Sequence, residues 1–234
     1  MKPRTLRRVF NYKETRCTIT SDSETAIEAA ISSIKYHRTQ LEEYIRNHPK
    51  FFCSLLPIEV SEGPSVAKLM AEAAEKANVG PMAAVAGVLA DLAVEAMISK
   101  GAKVAVVEDG GEAYAISKRP VDVVLVAGDA PLSRHLGFRL ERFPIGVATS
   151  SGLFSHALSF GEAEAVTIFA ENAGLADAAA TAVCNVVRGD DRRKAIERGI
   201  TKALSIKGVK GVFILYGGLV GKAGQVPKII KVKN

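Results

Sequence analysis

"LADAAATAVCN", residues Leu175–Asn185, is alanine-rich and strongly helix-forming, yet it sets Asp177 and Thr181 one helical turn apart and closes on Cys184 and Asn185. The segment before it, "EAVTIFA" (164–170), reads as an apolar strand, and the one after it, "DDRRKAIERGITKALS" (190–205), as a charged helix. Further upstream, "IGVATSSG" (145–152) is an apolar strand running into a glycine loop. "KVAVVE", "AYAISK" and "VDVVLVAG" read as consecutive strands, the first two joined by "DGG", and Arg134, His135, Arg139 and Arg142 mark a polar segment after them. The downstream end, "GVFILYGGLVGKAGQVPKIIKVK", reads as two strands around a glycine-rich turn.

The N-terminal half supplies most of the helix. "TLRRVFNYKETRCTITSD" alternates apolar and polar residues and predicts two strands with a turn near Asn11–Glu14. From the Ser21–Ser23 capping cluster, Ala26, Ile27, Ala30, Ile31, Ile34, Leu41 and Ile45 follow helical spacing as far as Asn47, before Pro49. "SLLPIEVSEGP" is a turn-rich connector, "SVAKLMAEAAEKAN" a short helix, and "MAAVAGVLADLAVEAMI" a helix apolar on most faces and therefore buried. Strands pair locally, helices arrive in blocks and strict β-α-β alternation is missing, so the order predicts an α+β fold rather than a Rossmann sheet. No linker or repeat divides it, which predicts one domain over residues 1–234.

Composition narrows the function classes. A hydrophobic content of 48% with 24% charged residues is that of an ordinary globular chain able to bury a core. Apolar runs such as Met82–Ala93 and Val121–Ala127 read as too short or too interrupted to cross a bilayer, and "MKPRTLRRVFNYKETR" has no signal-peptide core, so a cytoplasmic protein is expected. Cys17, Cys53 and Cys184 form neither a disulfide framework nor a zinc pattern, in keeping with a reducing compartment. The net charge of +6 is concentrated at the ends, with six basic groups against one acid in residues 1–16 and seven lysines without an acid in residues 202–234. Lysines on terminal strands serve solubility and edge protection, and no aromatics interleave with them, so neither a nucleic-acid nor a membrane partner is expected.

Three places could carry chemistry. Asp177 and Thr181 share a helix face, and a carboxylate beside a hydroxyl suits Mg²⁺ or Ca²⁺; the structural alternative is an acid near the positive first turns of its own helix and a threonine bonded back to a carbonyl. "GVATSSGLFSH" places Ala148, Thr149, Ser150, Ser151 and Gly152 where backbone amides could meet phosphates, or where an ordinary polar loop would sit. "VEDGGEAY" offers Asp109, Gly110 and Gly111 as a ligand-facing turn, or as a plain hairpin. His156, beside the second segment, is a candidate for ligand binding or proton transfer, and Cys184 for thiol or persulfide chemistry if it is not simply a buried thiol. The Walker, dinucleotide and G-x-S-x-G patterns are absent.

Taken jointly, "EDGGEAY", "GVATSSG", "AVTIFA" and "LADAAAT" resemble, in the same order, the "GGD"-like turn, "GIATSG"-like loop, "sVTV" strand and "ADAxAT" helix of the ApbE superfamily, whose characterised members are FAD:protein FMN transferases. The match covers roughly residues 104–188. "KYHRTQLEEYIRNHPKF", "SLLP" and "VGPMAAVAG" extend it over nearly the whole chain to an uncharacterised ApbE-like family of archaeal and bacterial cytoplasmic proteins. The resemblance implies an ApbE-like fold of mixed or antiparallel sheets packed with helices, and a bound flavin nucleotide such as FAD. It also implies Mg²⁺ held by Asp177, Thr181 and the backbone carbonyl of Ala148. Two departures stand out: "SHALSFGEAEAV" has His156 but neither the Asp-Pro nor the Thr-Gly of the transferases' "HxxDPxTG"-like segment, and Asp109 and Glu112 flank Gly110 and Gly111 where many relatives have asparagine and aspartate.

The expectation is a protein that binds a flavin nucleotide or another phosphorylated small molecule with Mg²⁺, with flavin or nucleotidyl transfer as its reaction and His156 and Asp177 as catalytic candidates. Sulfur transfer through Cys184 is the second reading. A non-catalytic ligand-binding or assembly protein, homodimeric through the sheet or the long helix, is the third.

Overall fold

A computed structural model describes residues 5–128, 130, 132–153 and 159–232. The alternating N-terminal segment forms β1 (Leu6–Tyr12) and β2 (Thr15–Ser21), paired antiparallel from Leu6↔Ser21 to Tyr12↔Thr15. Ser23 then caps α1 (Glu24–Asn47) by accepting the Ala26 amide, and Ala26, Ile27, Ala30, Ile34 and Leu41 form its buried face. A short helix, α2 (Pro49–Cys53), follows at Pro49, whose fixed φ suits a first helical turn. Next, α3 (Ser65–Ala77) ends on Asn78 in the left-handed conformation, and a 3₁₀ turn at Pro81–Ala84 leads into α4 (Val85–Ser99).

The remaining strands are β3 (Val104–Asp109), β4 (Glu112–Ser117), β5 (Val121–Val124), β6 (Leu136–Leu140), β7 (Ile145–Ser150), β8 (Ala165–Ala170), β9 (Val209–Tyr216), β10 (Leu219–Gly224) and β11 (Lys228–Lys231). The helices α5 (Ala173–Cys184) and α6 (Arg192–Ser205) lie between β8 and β9. An eight-stranded sheet runs in the order β1-β2-β3-β4-β7-β8-β9-β10, and a three-stranded one in the order β11-β6-β5. Every strand pairing among the described residues is antiparallel, in keeping with the α+β expectation.

Alternation along the central strands explains the layers. Ala105, Val107, Ala148, Val166, Ile168, Val212 and Ile214 point to the helices, while Val104, Val106, Val147, Phe169, Phe213 and Leu215 point to the three-stranded sheet. Phe138 of β6 packs edge-on against Phe169 and Phe213, with ring centroids 5.0 and 5.3 Å away. The large sheet is therefore sandwiched, which is why its strands read as continuous apolar runs.

Four details differ from the sequence reading. The polar segment after "VDVVLVAG" contains a strand, β6, whose Phe138 and Leu140 are buried while Arg139 sits outside against Asp122 at 2.8 Å. The downstream end holds three strands rather than two, because β11 leaves the large sheet and pairs with β6. "PKFFC", to which the sequence reading gave no element, is a short helix. By length and composition Pro81–Ser99 could cross a membrane, contrary to the reading of short runs, but the stretch is packed against α1, α5 and the sheet and half of its apolar window is buried.

Candidate functional site

The site is built around the crossing of α4 and α5. Their backbones touch at glycines: a Cβ on Gly87 would lie 2.2 Å from the Ala173 carbonyl oxygen, and one on Gly174 2.6 Å from Val88 Cγ2. At that separation each helix supplies an acid to the unpaired amides at the start of the other. Asp91 of α4 accepts the Ala173 and Gly174 amides at 2.7 and 2.8 Å, and Asp177 of α5 accepts the Gly87 amide at 3.0 Å and is bonded by that of Ala86. The start of α5 is completed by Asn172, whose side chain accepts the Leu175 amide at 2.9 Å. Asp177 thus serves the positive end of α4, not that of its own helix.

Beside this crossing stands the β3–β4 hairpin. Asp109 pairs with Glu112 across a two-residue turn in which Gly110 and Gly111 have φ of 69° and 128°, a conformation that glycine adopts freely. Nothing comes within 4 Å of a Cβ placed on Gly111, so the backbone there is open. Asp109 is buried, accepts the Arg16 amide at 3.0 Å and is bonded by the Cys17 thiol. Glu112 points its carboxylate into the protein, where burial first and then the charges of Asp177 and Asp109 hold it well above the usual carboxylate range.

Asp177 itself is partly exposed as a residue, but its carboxylate is enclosed. Burial raises it most, the two amides of α4 counteract this, and the charges of Asp109 and Asp91 raise it further. Among the described residues, the groups that act on it most include no positive charge. Asp91 is pushed up to about 7 by burial, despite its two amide bonds. Arg38 acts on Asp109, lowering it, and donates to Thr15 Oγ1 at 3.0 Å.

Below the carboxylates, α5 runs along β7. A Cβ on Gly146 would lie 2.0 Å from Asn172 backbone atoms, and one on Gly161 1.9 Å from the Cys184 carbonyl, so backbone meets backbone near both ends of the helix. Alternation turns Ala148 and Ser150 toward α5 and Thr149 away from it, where its hydroxyl pairs with Thr167 Oγ1 at 2.9 Å. Ser151 is also occupied, receiving the Leu153 amide at 3.1 Å and donating to Ala163 O at 3.4 Å, while the Gly152 amide donates to Ala163 O at 3.0 Å. Ser150 Oγ is buried without a well-formed hydrogen bond, next to the Cys184 thiol. Asp109 of the β3–β4 hairpin and Asp177 thus act on each other, α5, which carries Thr181, packs along the strand that carries Ala148, and Thr149, Ser151 and Gly152 are bonded elsewhere. His156 lies outside the described residues.

Cys184 is fully buried, and burial raises its thiol further from ionisation. This is the environment of an inert thiol rather than a nucleophile. Among the described residues no three His, Cys, Asp or Glu side chains converge on one ion, so a cation here would need hydroxyl, carbonyl or ligand oxygens as well as carboxylate. Sequence reasoning passed over Asp91, although an acid in the middle of the apolar "GVLADLAVEAM" was a signal that something polar had to meet it.

The family model described as AbpE bacteria matches residues 1–207. The chain belongs to this family. A UPF0280 protein of Methanopyrus kandleri is 43% identical over 226 residues, covering 95% of this chain and 92% of its own length. One from Methanocaldococcus jannaschii is 39% identical over 224 residues, covering 94% and 91%. Among solved structures, the apo form of the Pseudomonas stutzeri flavinyl transferase ApbE superposes with a TM-score of 0.62 at 15% identity, over 94% of each chain. The ApbE protein of Thermotoga maritima gives 0.63 at 17% identity, over 94% of this chain and 97% of that one. The chain thus has the ApbE fold, and the resemblance seen in its motifs extends to the whole architecture.

Proposed function

We propose that this protein binds the phosphates of a flavin nucleotide where the β3–β4 turn, β7 and α5 meet, together with a divalent cation, and acts in a reducing compartment as a flavin or nucleotidyl transferase. The observation that carries the reading is the enclosed Asp177 carboxylate, which has acidic neighbours in Asp109, Glu112 and Asp91 and, among the described residues, no positive charge in the groups that act on it most. Buried carboxylates in this state are costly unless a cation joins them. The donor set fits a hard ion: Asp177 and Thr181 lie one turn apart on α5, against the strand that carries Ala148. Solved neighbours described as flavin transferases share the fold and support the choice of ligand.

The chain's own residues have distinct parts in this reading. The amides of Ala86 and Gly87 fix the Asp177 carboxylate, leaving it lone pairs for a ligand. The open backbone at Gly110 and Gly111 lets a phosphate approach without a side chain in the way. Burial and the charges of Asp177 and Asp109 favour the protonated form of Glu112, and positive charge arriving beside it would favour release of that proton. Bound there, a divalent ion would stabilise the charge that develops on a pyrophosphate as its bridging bond breaks.

The test is FAD titration with Mg²⁺ on wild type and Asp177→Ala, with mass spectrometry of ligands released from the purified protein. Binding that is lost in the variant supports the site. A folded wild-type protein that takes up neither FAD nor FMN overturns it, and FAD recovered intact after long incubation with acceptor proteins restricts the function to binding.

A further inference from the structure

The two caps at the α4–α5 crossing form a closed ring. Gly87 and Asp91 are one turn apart in α4, and Ala173 and Asp177 are one turn apart in α5. Asp91 reaches across to the Ala173 and Gly174 amides at 2.7 and 2.8 Å, and Asp177 reaches back to the Gly87 amide at 3.0 Å. Both Asp91 oxygens are used. The Ala173–Gly174 peptide is also fixed sterically, since its carbonyl side abuts Gly87 and a Cβ on Gly174 would come within 3.1 Å of Asp91 Oδ2. In an α-helix the amide of Asp177 bonds the carbonyl of Ala173, so the peptide that Asp91 grips is the one that sets where Asp177 starts.

We infer that Asp91 is a positioning residue for Asp177: through the ring it holds the Asp177 carboxylate at the cleft, and it couples occupation of that carboxylate to the first turn of α4. As a statement about a cation site this rests on the function proposed above; as a statement about the two helix starts it stands on its hydrogen bonds alone. Asp91 spends both of its oxygens on the α5 amides and lines a cavity of about 40 Å³ together with Glu72, Lys76 and Asn172. Substitution of Asp91 therefore alters the candidate site by moving Asp177 and by removing one of the charges that act on its carboxylate, and the exchange measurement separates the two.

The experiment uses the full chain and Mn²⁺ as the probe ion, comparing wild type, Asp91→Ala, Asp91→Asn and Asp177→Ala, with amide hydrogen exchange measured on the same samples. Asp91→Ala is expected to weaken Mn²⁺ binding about tenfold, the lower end of what outer-shell partners of metal ligands contribute. It should also speed exchange at Ala86 and Gly87 as well as at Ala173 and Gly174. Asp91→Asn, which keeps one acceptor oxygen and serves as the folded alternative if the alanine variant does not fold, is expected to recover part of both. Faster exchange at 173–174 with 86–87 protected as in wild type overturns the link. Unchanged Mn²⁺ affinity in a variant with faster exchange at 86–87 overturns the positioning role. A wild type that binds no Mn²⁺ overturns the cation reading of Asp177, and exchange then decides the ring on its own.

Discussion

Replacing Gly87 by alanine tests the helix crossing most directly, because helix propensity and packing predict opposite signs. In an isolated helix Gly→Ala stabilises by up to about 1 kcal/mol, since glycine loses more backbone entropy on ordering. Here the new methyl would sit 2.2 Å from the Ala173 carbonyl oxygen, a backbone atom that no rotamer change can move. Relief requires α4 and α5 to part by roughly 1 Å, and overpacking of this kind costs about 1–3 kcal/mol. The same movement stretches the bonds from Gly87 to Asp177 and from Ala173 and Gly174 to Asp91, now 3.0, 2.7 and 2.8 Å. Hydrogen bonds to charged groups contribute about 1.5–3 kcal/mol each, and even partial loss outweighs the propensity gain. The expected net loss is about 3 kcal/mol, or roughly 6–12 °C in melting temperature for a chain of this size. Gly199→Ala is the control: its Cβ would meet side-chain atoms and no backbone, Val187 Cγ2 at 2.6 Å, Ile214 Cδ1 at 2.7 Å and Val183 Cγ1 at 3.5 Å, so it tests crowding without forcing two backbones apart. Thermal unfolding followed by circular dichroism measures both. A Gly87→Ala protein as stable as wild type, or no worse than Gly199→Ala, would refute the close crossing and the ring built on it.

Two further outcomes follow from the buried acids and thiols. Asp91, Asp109, Glu112 and Asp177 all have carboxyls raised in the fold, Asp91 to about 7, against an ordinary value of 3.8 for an aspartate. Between those values the folded protein holds protons that the unfolded chain has released, so without a cation its stability should fall as pH rises from about 4 to 7. His37, lowered by burial, acts in the opposite direction but is one group against four. Denaturant unfolding at pH 5, 6, 7 and 8 measures the slope, and a stability that climbs across this range in metal-free buffer contradicts it; added Mg²⁺ should flatten or reverse the fall. Iodoacetamide on the native protein should label the exposed Cys53 and leave the buried Cys17 and Cys184 unmodified. Peptide mapping that finds Cys184 labelled as fast as Cys53 would reopen thiol chemistry at the end of α5.

Much of the fold was legible because it is written locally. The β1–β2 alternation, the Ser23 cap and apolar stripe of α1, and the Gly110–Gly111 turn each declare themselves within a few residues. β6 escaped because its exposed Arg139 and flanking Arg134, His135 and Arg142 mask the inward Phe138 and Leu140. β5 and β11 were visible as apolar runs, but nothing local shows that they leave the large sheet for a second one. For the site, the spacing of Asp177 and Thr181 was readable and the partner of Asp177 was not: Gly87 stands ninety residues away, and the contact exists only because two glycines let the helices meet. Thr149 and Ser151 looked equivalent to Ala148 and Ser150 in a polar loop; the pleat of β7 separates them.

The alanines and glycine of α5 act as a shim between α4 and the large sheet, and Asp177 is bolted into the same assembly by its hold on Gly87 and Ala86. Architecture alone therefore demands most of what makes "LADAAAT" recognisable, acid included. A lineage that abandoned its ligand would go on carrying the emblem for as long as it kept the fold. Thr181, to which no capping duty falls at the crossing, is the position where drift would first betray such a loss, and so the letter of the motif that says most about present use.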